Sequence, residues 1–172
     1  DRFNHGELMH ADSIHFPDSL KYQTKKLART VYGGGGIMPD FFVPIDTTQY
    51  TDYHRNIVAK GVVIKTTMKF IESHRKELQS KYKKFETFND KFEISDEILA
   101  NMQTLAEQEK IKFDEKQYRK SLPLIKTQLK ALIARDLWDM NEYFQIMNTT
   151  NSSVLQALKV LNEGAYEKVV RL

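Results

Sequence analysis

Four consecutive glycines at positions 33–36 are the feature of this sequence most suited to chemistry, because a glycine-rich loop can bring backbone N–H groups close to a phosphate. A phosphate loop of the Walker type needs a lysine and then a serine or threonine directly after the glycines. Ile37, Met38 and Pro39 stand there instead. A dinucleotide-binding turn needs a helix that begins at the third glycine, whereas the apolar residues after Pro39 favour a strand. The run therefore predicts a structural turn and no nucleotide cofactor.

Nucleophilic catalysis would require a serine, threonine or lysine that a neighbouring base activates. The sequence contains no Gly-x-Ser-x-Gly elbow, and its serines fall at expected helix caps, turns and helix surfaces. It has no cysteine, which excludes disulfides, thiol catalysis and cysteine-based zinc sites. We therefore assign no catalytic residue to this chain.

Three histidines, His5, His10 and His15, recur every five residues and raise the question of a transition-metal site. A spacing of five matches neither the i, i+4 pair of a helix nor the alternation of a strand, so the three imidazoles are not expected to converge. His54 and His74 lie on one predicted helix, too far apart to share an ion. The sequence predicts no metal and no other cofactor.

Composition is that of a globular protein of one domain or two small units: 172 residues, of which 41% are hydrophobic and 28% charged. The net charge of +3 comes from 26 basic and 23 acidic residues, a balance that argues against a nucleic-acid partner. No apolar stretch reaches the roughly 18 residues that a membrane span needs. We interpret the lack of an initiator methionine or signal peptide at residue 1 as the mark of a fragment from a longer precursor.

Glycine and proline divide the sequence into two parts. Residues 1–50 hold five of the seven glycines and three of the four prolines, whereas helical periodicity dominates residues 51–172. Val31 and Tyr32 favour a strand before the glycine run, and the apolar residues 41–44 favour another after it. The predicted fold is mainly α, with a strand, glycine turn and strand in the domain 1–50 and a helical C-terminal domain over 51–172.

The first long helix should begin at Thr51 or Asp52, which are both suitable N-caps. Gly61 lies on its apolar stripe, and we expect another element to approach the backbone closely there. Three phenylalanines then fall in an irregular connection that would form a satellite cluster, before a second helix capped by Ser95. The stripe comprises Ile57, Gly61, Ile64, Met68, Ile71 and Leu78, and the phenylalanines are Phe85, Phe88 and Phe92.

A third and longest helix should begin at Asp114, which forms a capping-box variant with Gln117. Its apolar stripe continues to Met147. Pro123 should kink this helix or mark a restart capped by Ser121. A last helix, with its cap at residue 151 or 152, should carry the apolar residues Val154, Leu155, Leu158 and Leu161.

Asp136 falls on the apolar stripe of the third helix. A buried carboxylate needs a partner, because its removal from water without one is costly. Arg29 or a lysine of another helix is the expected partner, and a buried ion pair there would tie the helical tail to the core. A catalytic acid with a shifted pKa is the less favoured interpretation, since no second group converges on Asp136.

The segment from Tyr32 to Asp40, Tyr-Gly-Gly-Gly-Gly-Ile-Met-Pro-Asp, resembles the signature that closes the catalytic core of the carboxyl-terminal processing (tail-specific) proteases, a family of serine peptidases. The flanking Arg29 and the residues 42–44 fit this pattern, and Leu129–Trp138 is similar to a helical tail of some bacterial members. The signature residues are Arg29, Gly33, Gly34, Gly35, Gly36, Ile37, Pro39 and Asp40.

This resemblance implies that the chain is the C-terminal part of a larger peptidase whose serine nucleophile and lysine base both lie upstream. It implies a structural role for Asp40, which would accept backbone N–H bonds around the turn. It also implies protein substrates, self-association as a homo-oligomer through the last helices, and a place in the cell envelope or periplasm. The alternative from another class is a free-standing helical module that binds a protein or peptide partner.

Overall fold

The computed structural model of the protein describes residues 16–26, 28–34 and 39–170. The predicted mainly helical class is confirmed: eight α-helices and one small two-stranded antiparallel sheet occur in this part of the chain. The chain forms two compact units, Thr47–Asn151 and a second that combines the residues up to Asp46 with those from Ser152. The division into 1–50 and 51–172 stays a prediction. None of the helices described here is long and apolar enough to cross a membrane.

The sheet of the second unit is a short hairpin of β1 (Lys21–Gln23) and β2 (Thr30–Tyr32). Thr24 closes its loop, because its N–H donates to the carbonyl of Arg29 and its hydroxyl accepts from the Arg29 N–H. The predicted strand after the glycine run was wrong: residues 41–43 are a bend and irregular backbone, and the partner of β2 precedes it. Pro39 and Pro44 bracket that segment and cannot donate to a ladder.

Two further helices belong to the same unit, α7 (Ser152–Asn162) and α8 (Ala165–Val170). Gly164 joins them at φ 64°, in the left-handed region that a glycine adopts without strain. The predicted last helix therefore occurs as α7, and the short α8 follows it after this turn.

The Thr47–Asn151 unit is a bundle of six helices around one apolar core. The longest helix is central, since it packs against the first, second and sixth, while the second also packs against the fourth. The caps predicted from local sequence are present: Thr51, Ser95 and Asp114 each accept a backbone N–H of the first turn that follows. The helices are α1 (Asp52–Ala59), α2 (Val62–Lys81), α3 (Phe85–Lys91), α4 (Asp96–Gln108), α5 (Glu115–Leu137) and α6 (Met140–Met147).

Gly61 ends the first helix instead of lying inside it. Its φ is 69°, and it separates α1 from α2. The expected close approach of another element was wrong, because a Cβ at this position would meet nothing within 4 Å. The glycine is required by backbone conformation rather than by packing.

This break rotates the apolar face of the following helix. Ile64 and Met68, assigned to the core by an unbroken stripe, are 45% and 59% exposed. Val63 and Thr67 point into the core instead, whereas Ile71 and Leu78 of the predicted stripe are buried as expected. A helix that restarts after a left-handed residue does not keep the phase of the preceding one, so the periodicity counted through Gly61 failed for Ile64 and Met68.

We expect Gly61→Ala to lower the free energy of unfolding by about 1 kcal/mol, because an L-residue is strained at positive φ. Gly61→Asn should lose less, since asparagine tolerates this region. Urea denaturation followed by fluorescence of Trp138, the single tryptophan, measures both losses. An alanine variant more stable than the parent protein would mean that helix can continue through residue 61.

The helix α5 continues through Pro123 with neither a restart nor a cap at Ser121. Pro123 is exposed, so water can reach the Arg119 carbonyl that the missing N–H leaves without its helical partner. The prediction that this helix reaches Met147 was wrong. It ends at Leu137, Trp138 leaves the helical region, and Asp139 caps α6.

Candidate functional site

The signature segment is held by an ion pair between the guanidinium of Arg29 and the carboxylate of Asp40. The two side chains are 37% and 46% exposed, so the pair lies at the surface of its unit. It joins the end of the hairpin loop to the residue after Pro39 and thereby closes the stretch of chain that carries the glycine run. Gly35, Gly36 and Ile37 lie outside the described residues.

The first two signature glycines sit beside the hairpin. A Cβ on Gly33 would lie 2.6 Å from Cε2 of Tyr22, so a side chain there would displace that ring. The N–H of Gly33 donates to the carbonyl of Leu20 (2.8 Å), and a Cβ on Gly34 would lie 3.4 Å from Cδ1 of the same leucine. Tyr32, which precedes Gly33, stacks on Phe16 with ring centroids 4.2 Å apart. These contacts join the first residues of the segment, Tyr32 to Gly34, to the chain around β1.

Asp136 is half-buried, and its carboxylate lies 3.3 Å from the guanidinium of Arg135, its neighbour in sequence. Arg29 is paired with Asp40 instead. A tie between helices does exist at this position, but it uses the main chain: Arg75 of α2 donates to the backbone carbonyl of Asp136 (2.8 Å). This hydrogen bond, in which the donor is charged, links the end of α5 to α2.

A buried polar cluster, which the sequence did not predict, joins α1 to α5. Ser121 is fully buried; its hydroxyl donates to the carbonyl of Gln49 (2.6 Å) and contacts the hydroxyl of Thr51 (2.7 Å). Gln117 accepts from the N–H of Tyr53 (2.8 Å). One turn after Thr51, the buried imidazole of His54 contacts the side-chain amide of Gln128 in α5, with Nε2 lying 3.0 Å from Oε1.

This cluster stabilises the fold and does not form a catalytic site. The Ser121 hydroxyl is inaccessible and already committed to the Gln49 carbonyl, so it cannot meet a substrate. Burial raises the pKa of Tyr53 to about 12, with smaller contributions from Tyr118 and Glu107, so its phenol stays protonated at neutral pH. Among the described residues, no group of three histidine or acidic side chains could hold a metal ion.

The helical unit has several concave surfaces, with volumes of about 660, 530, 220 and 210 Å³. A groove of about 660 Å³ runs between α2 and α5, where the cations Lys65, Lys69, Arg75 and Arg135 face two carboxylates. Most of these cations are engaged: Lys65 pairs with Glu109, and the two arginines bond at Asp136. The groove therefore offers little free charge to a ligand.

The second concave surface is a cavity of about 530 Å³ bounded by α5, by the end of α3 and the connection to α4, and by the end of α6. We call it the lysine cavity, because Lys126 and Lys130 of α5 line it beside apolar side chains. Burial lowers the pKa of Lys130, and the negative charges of Glu93 and Asp90 partly oppose that shift. No sequence motif marked these two lysines, since an i, i+4 pair of lysines on a helix is ordinary surface composition.

A family model described as a family of unknown function, DUF8443, matches residues 53–139, which is just over half of the 172 residues. The chain belongs to this family. The DUF8443 match spans α1 to α5 and stops where α6 begins, so it contains most of the helical core and leaves the signature segment outside. No curated protein and no solved structure matches the chain.

Proposed function

We propose that this chain is the C-terminal structural and assembly portion of a carboxyl-terminal processing serine peptidase. The observation that carries the proposal is the Arg29–Asp40 ion pair, which links the two ends of the signature that resembles this family. The packed contacts of Gly33 add support, because they give the signature glycine a structural reason. In this reading, the signature closes a peptidase core and takes no part in the chemistry.

The upstream part of the peptidase is then the first partner of this chain and supplies the serine nucleophile and the lysine base. Its substrates are proteins cleaved near their C-termini in the cell envelope or periplasm. The helical unit serves as scaffold, and self-association would use α6 and α7. The exposed apolar side chains of these helices support that use: Met140, Phe144, Leu155, Leu158 and Leu161 are each at least 44% exposed.

Cleavage of an unfolded protein, such as β-casein, tests the proposal when this chain is compared with a longer protein that includes the upstream residues. We expect the longer protein to cleave and this chain alone to be inactive. Replacement of the upstream serine should abolish cleavage, whereas Ser80→Ala in this chain, at an exposed helix position, should leave it unchanged. Cleavage by this chain alone would overturn the proposal.

Asp40→Ala should loosen the signature segment without unfolding the helical unit. An ion pair as exposed as this one contributes about 0–1 kcal/mol, so we expect trypsin cleavage after Lys25 or Lys26 to become about twofold to fivefold faster. Asp90→Ala removes an exposed carboxylate from the other unit and is the control. An unchanged rate of trypsin cleavage in Asp40→Ala would mean that the Arg29–Asp40 pair has no structural role.

The second candidate function is a helical module that binds a protein partner. The exposed apolar side chains of α6 and α7 favour it, since such residues can seat a partner helix. The signature segment argues for the peptidase, because a binding module has no need of this glycine signature. Inactivity of both the longer protein and this chain would favour the module.

A further inference from the structure

The lysine cavity has an apolar wall. Phe92, Ile94 and Ile146 line it, and each of the three side chains is at most 8% exposed. The volume of about 530 Å³ lies within the range of small-ligand sites, which is about 300–1,000 Å³. All lining residues belong to the Thr47–Asn151 unit, so the cavity is complete within one compact body.

Two cations of α5 also line the cavity, one helical turn apart. The ammonium of Lys130 donates to the carbonyl of Asn89 (2.6 Å), which uses one of its three hydrogens and fixes its position. The same ammonium lies 5.9 Å from the centre of the Phe88 ring, a second contact that holds it in place. The ammonium of Lys126 forms no hydrogen bond or ion pair with any other described residue.

The two hydroxyl groups of the cavity lining are already engaged. The hydroxyls of Thr127 and Thr149 already donate to the carbonyls of Pro123 and Ile146. The lining carries a single carboxylate, that of the exposed Glu93, against the two lysines. The net charge of the lining is therefore one positive charge, which complements a monoanion better than a dianionic phosphate.

A bound anion would stabilise the charged form of the half-buried Lys130. Burial lowers the pKa of this lysine, because its charged form has lost part of its hydration. No carboxylate in the described part of the chain forms an ion pair with it. An anion brought into the cavity would supply the missing charge partner where water is partly excluded, and there a hydrogen bond between charged groups is stronger than at an open surface.

We propose that the lysine cavity binds an apolar monocarboxylate. The carboxylate would accept hydrogen bonds from the ammonium groups of Lys126 and Lys130. The hydrocarbon part would rest on Phe92, Ile94 and Ile146. Two sources offer this chemistry, namely the C-terminal residue of a polypeptide with an apolar side chain and a fatty acid. The proposal stands on the cavity alone and does not depend on the peptidase function.

Titration of the ¹⁵N-labelled chain, followed by backbone amide NMR shifts, tests the proposal. The probes are octanoate, octylamine, inorganic phosphate, and one short peptide ending in leucine as the free acid and as the amide. Shifts of cavity residues with octanoate or the acid peptide, and not with octylamine or the amide, are the expected result. Binding of the acid peptide identifies a polypeptide terminus, and binding of octanoate alone identifies a fatty acid. Binding of neither, or of phosphate equally well, overturns the proposal.

Lysine variants locate the binding. Lys126→Met keeps most of the side-chain volume and should weaken carboxylate binding about tenfold or more, because it removes a charge-assisted hydrogen bond. Lys120→Met changes an exposed lysine of the same helix and should leave the affinity unchanged. Lys126 has no structural partner to lose, so this variant should fold normally even if Lys130→Met does not. Unaltered affinity in Lys126→Met would overturn the assignment.

Discussion

Replacement of Phe88 by alanine should lower the free energy of unfolding of the helical unit by about 3–5 kcal/mol, the usual loss for a fully buried phenylalanine. The ring is fully enclosed, and it stacks on Phe92 with centroids 4.6 Å apart. It also meets the edge of Tyr82 and lies 5.3 Å from Trp138. Few atoms around it can move inward to fill the space, because each neighbouring ring is itself packed in the core.

Guanidinium denaturation measures this loss through the fluorescence of Trp138, which is in the same unit. Phe144→Ala is the matched control, since Phe144 is 52% exposed and touches Tyr143 edge-on. The control should lose less than about 1 kcal/mol. A similar loss in both variants would mean that the aromatic cluster around Phe88 contributes no more than the surface does.

The sequence missed the importance of this aromatic cluster for a physical reason. Helix α3 has only seven residues, which is too short for a stripe of apolar residues to recur. Phe85, Phe88 and Phe92 are spaced by three and four, as in a helix, but they were assigned to an irregular connection. Packing of Phe85 and Phe88 against Trp138, not local propensity, fixes this segment as helix.

Features that depend on a few neighbouring residues were predictable. Thr51, Ser95 and Asp114 cap their helices as expected, because an N-cap needs only its own side chain and the next turn. The capping box at Asp114 was only half predicted. The side-chain amide of Gln117 donates through Nε2 to Asp114 (3.1 Å), but its Oε1 accepts from the N–H of Tyr53 in another helix. A distant contact of this kind leaves no pattern in the local sequence.

The signature segment shows the same division between local and distant information. The strand at Val31 followed from residue types. The strand partner of β2 did not, because Lys21–Gln23 has three exposed residues and no alternating pattern. The pairing of Arg29 with Asp40 was equally hidden, since opposite charges eleven residues apart are common in any sequence. The lysine cavity was not predictable either, because its two cations and its apolar side chains come from three separate segments of the chain.

Ser121→Ala should lower the free energy of unfolding by about 1–3 kcal/mol, because it leaves the partly buried carbonyl of Gln49 without its donor. The Ser121 hydroxyl donates to the carbonyl of Gln49, and its oxygen lies 2.7 Å from the hydroxyl of Thr51, which also caps α1. One serine therefore holds both the chain entering α1 and the cap of that helix. Alanine is the better helix former, so a loss measured at this position is a loss of these contacts.

Ser73→Ala is the control for Ser121→Ala, since Ser73 is an exposed serine of α2 whose hydroxyl contacts only a carbonyl of its own helix (3.4 Å). It should leave the stability unchanged or slightly raised. The double variant Ser121→Ala with Thr51→Ala should lose less than the sum of the two single variants, because the hydroxyls form one connected network. Strict additivity in urea denaturation would mean that Ser121 and Thr51 act independently, and that α5 does not stabilise the start of α1 through this pair.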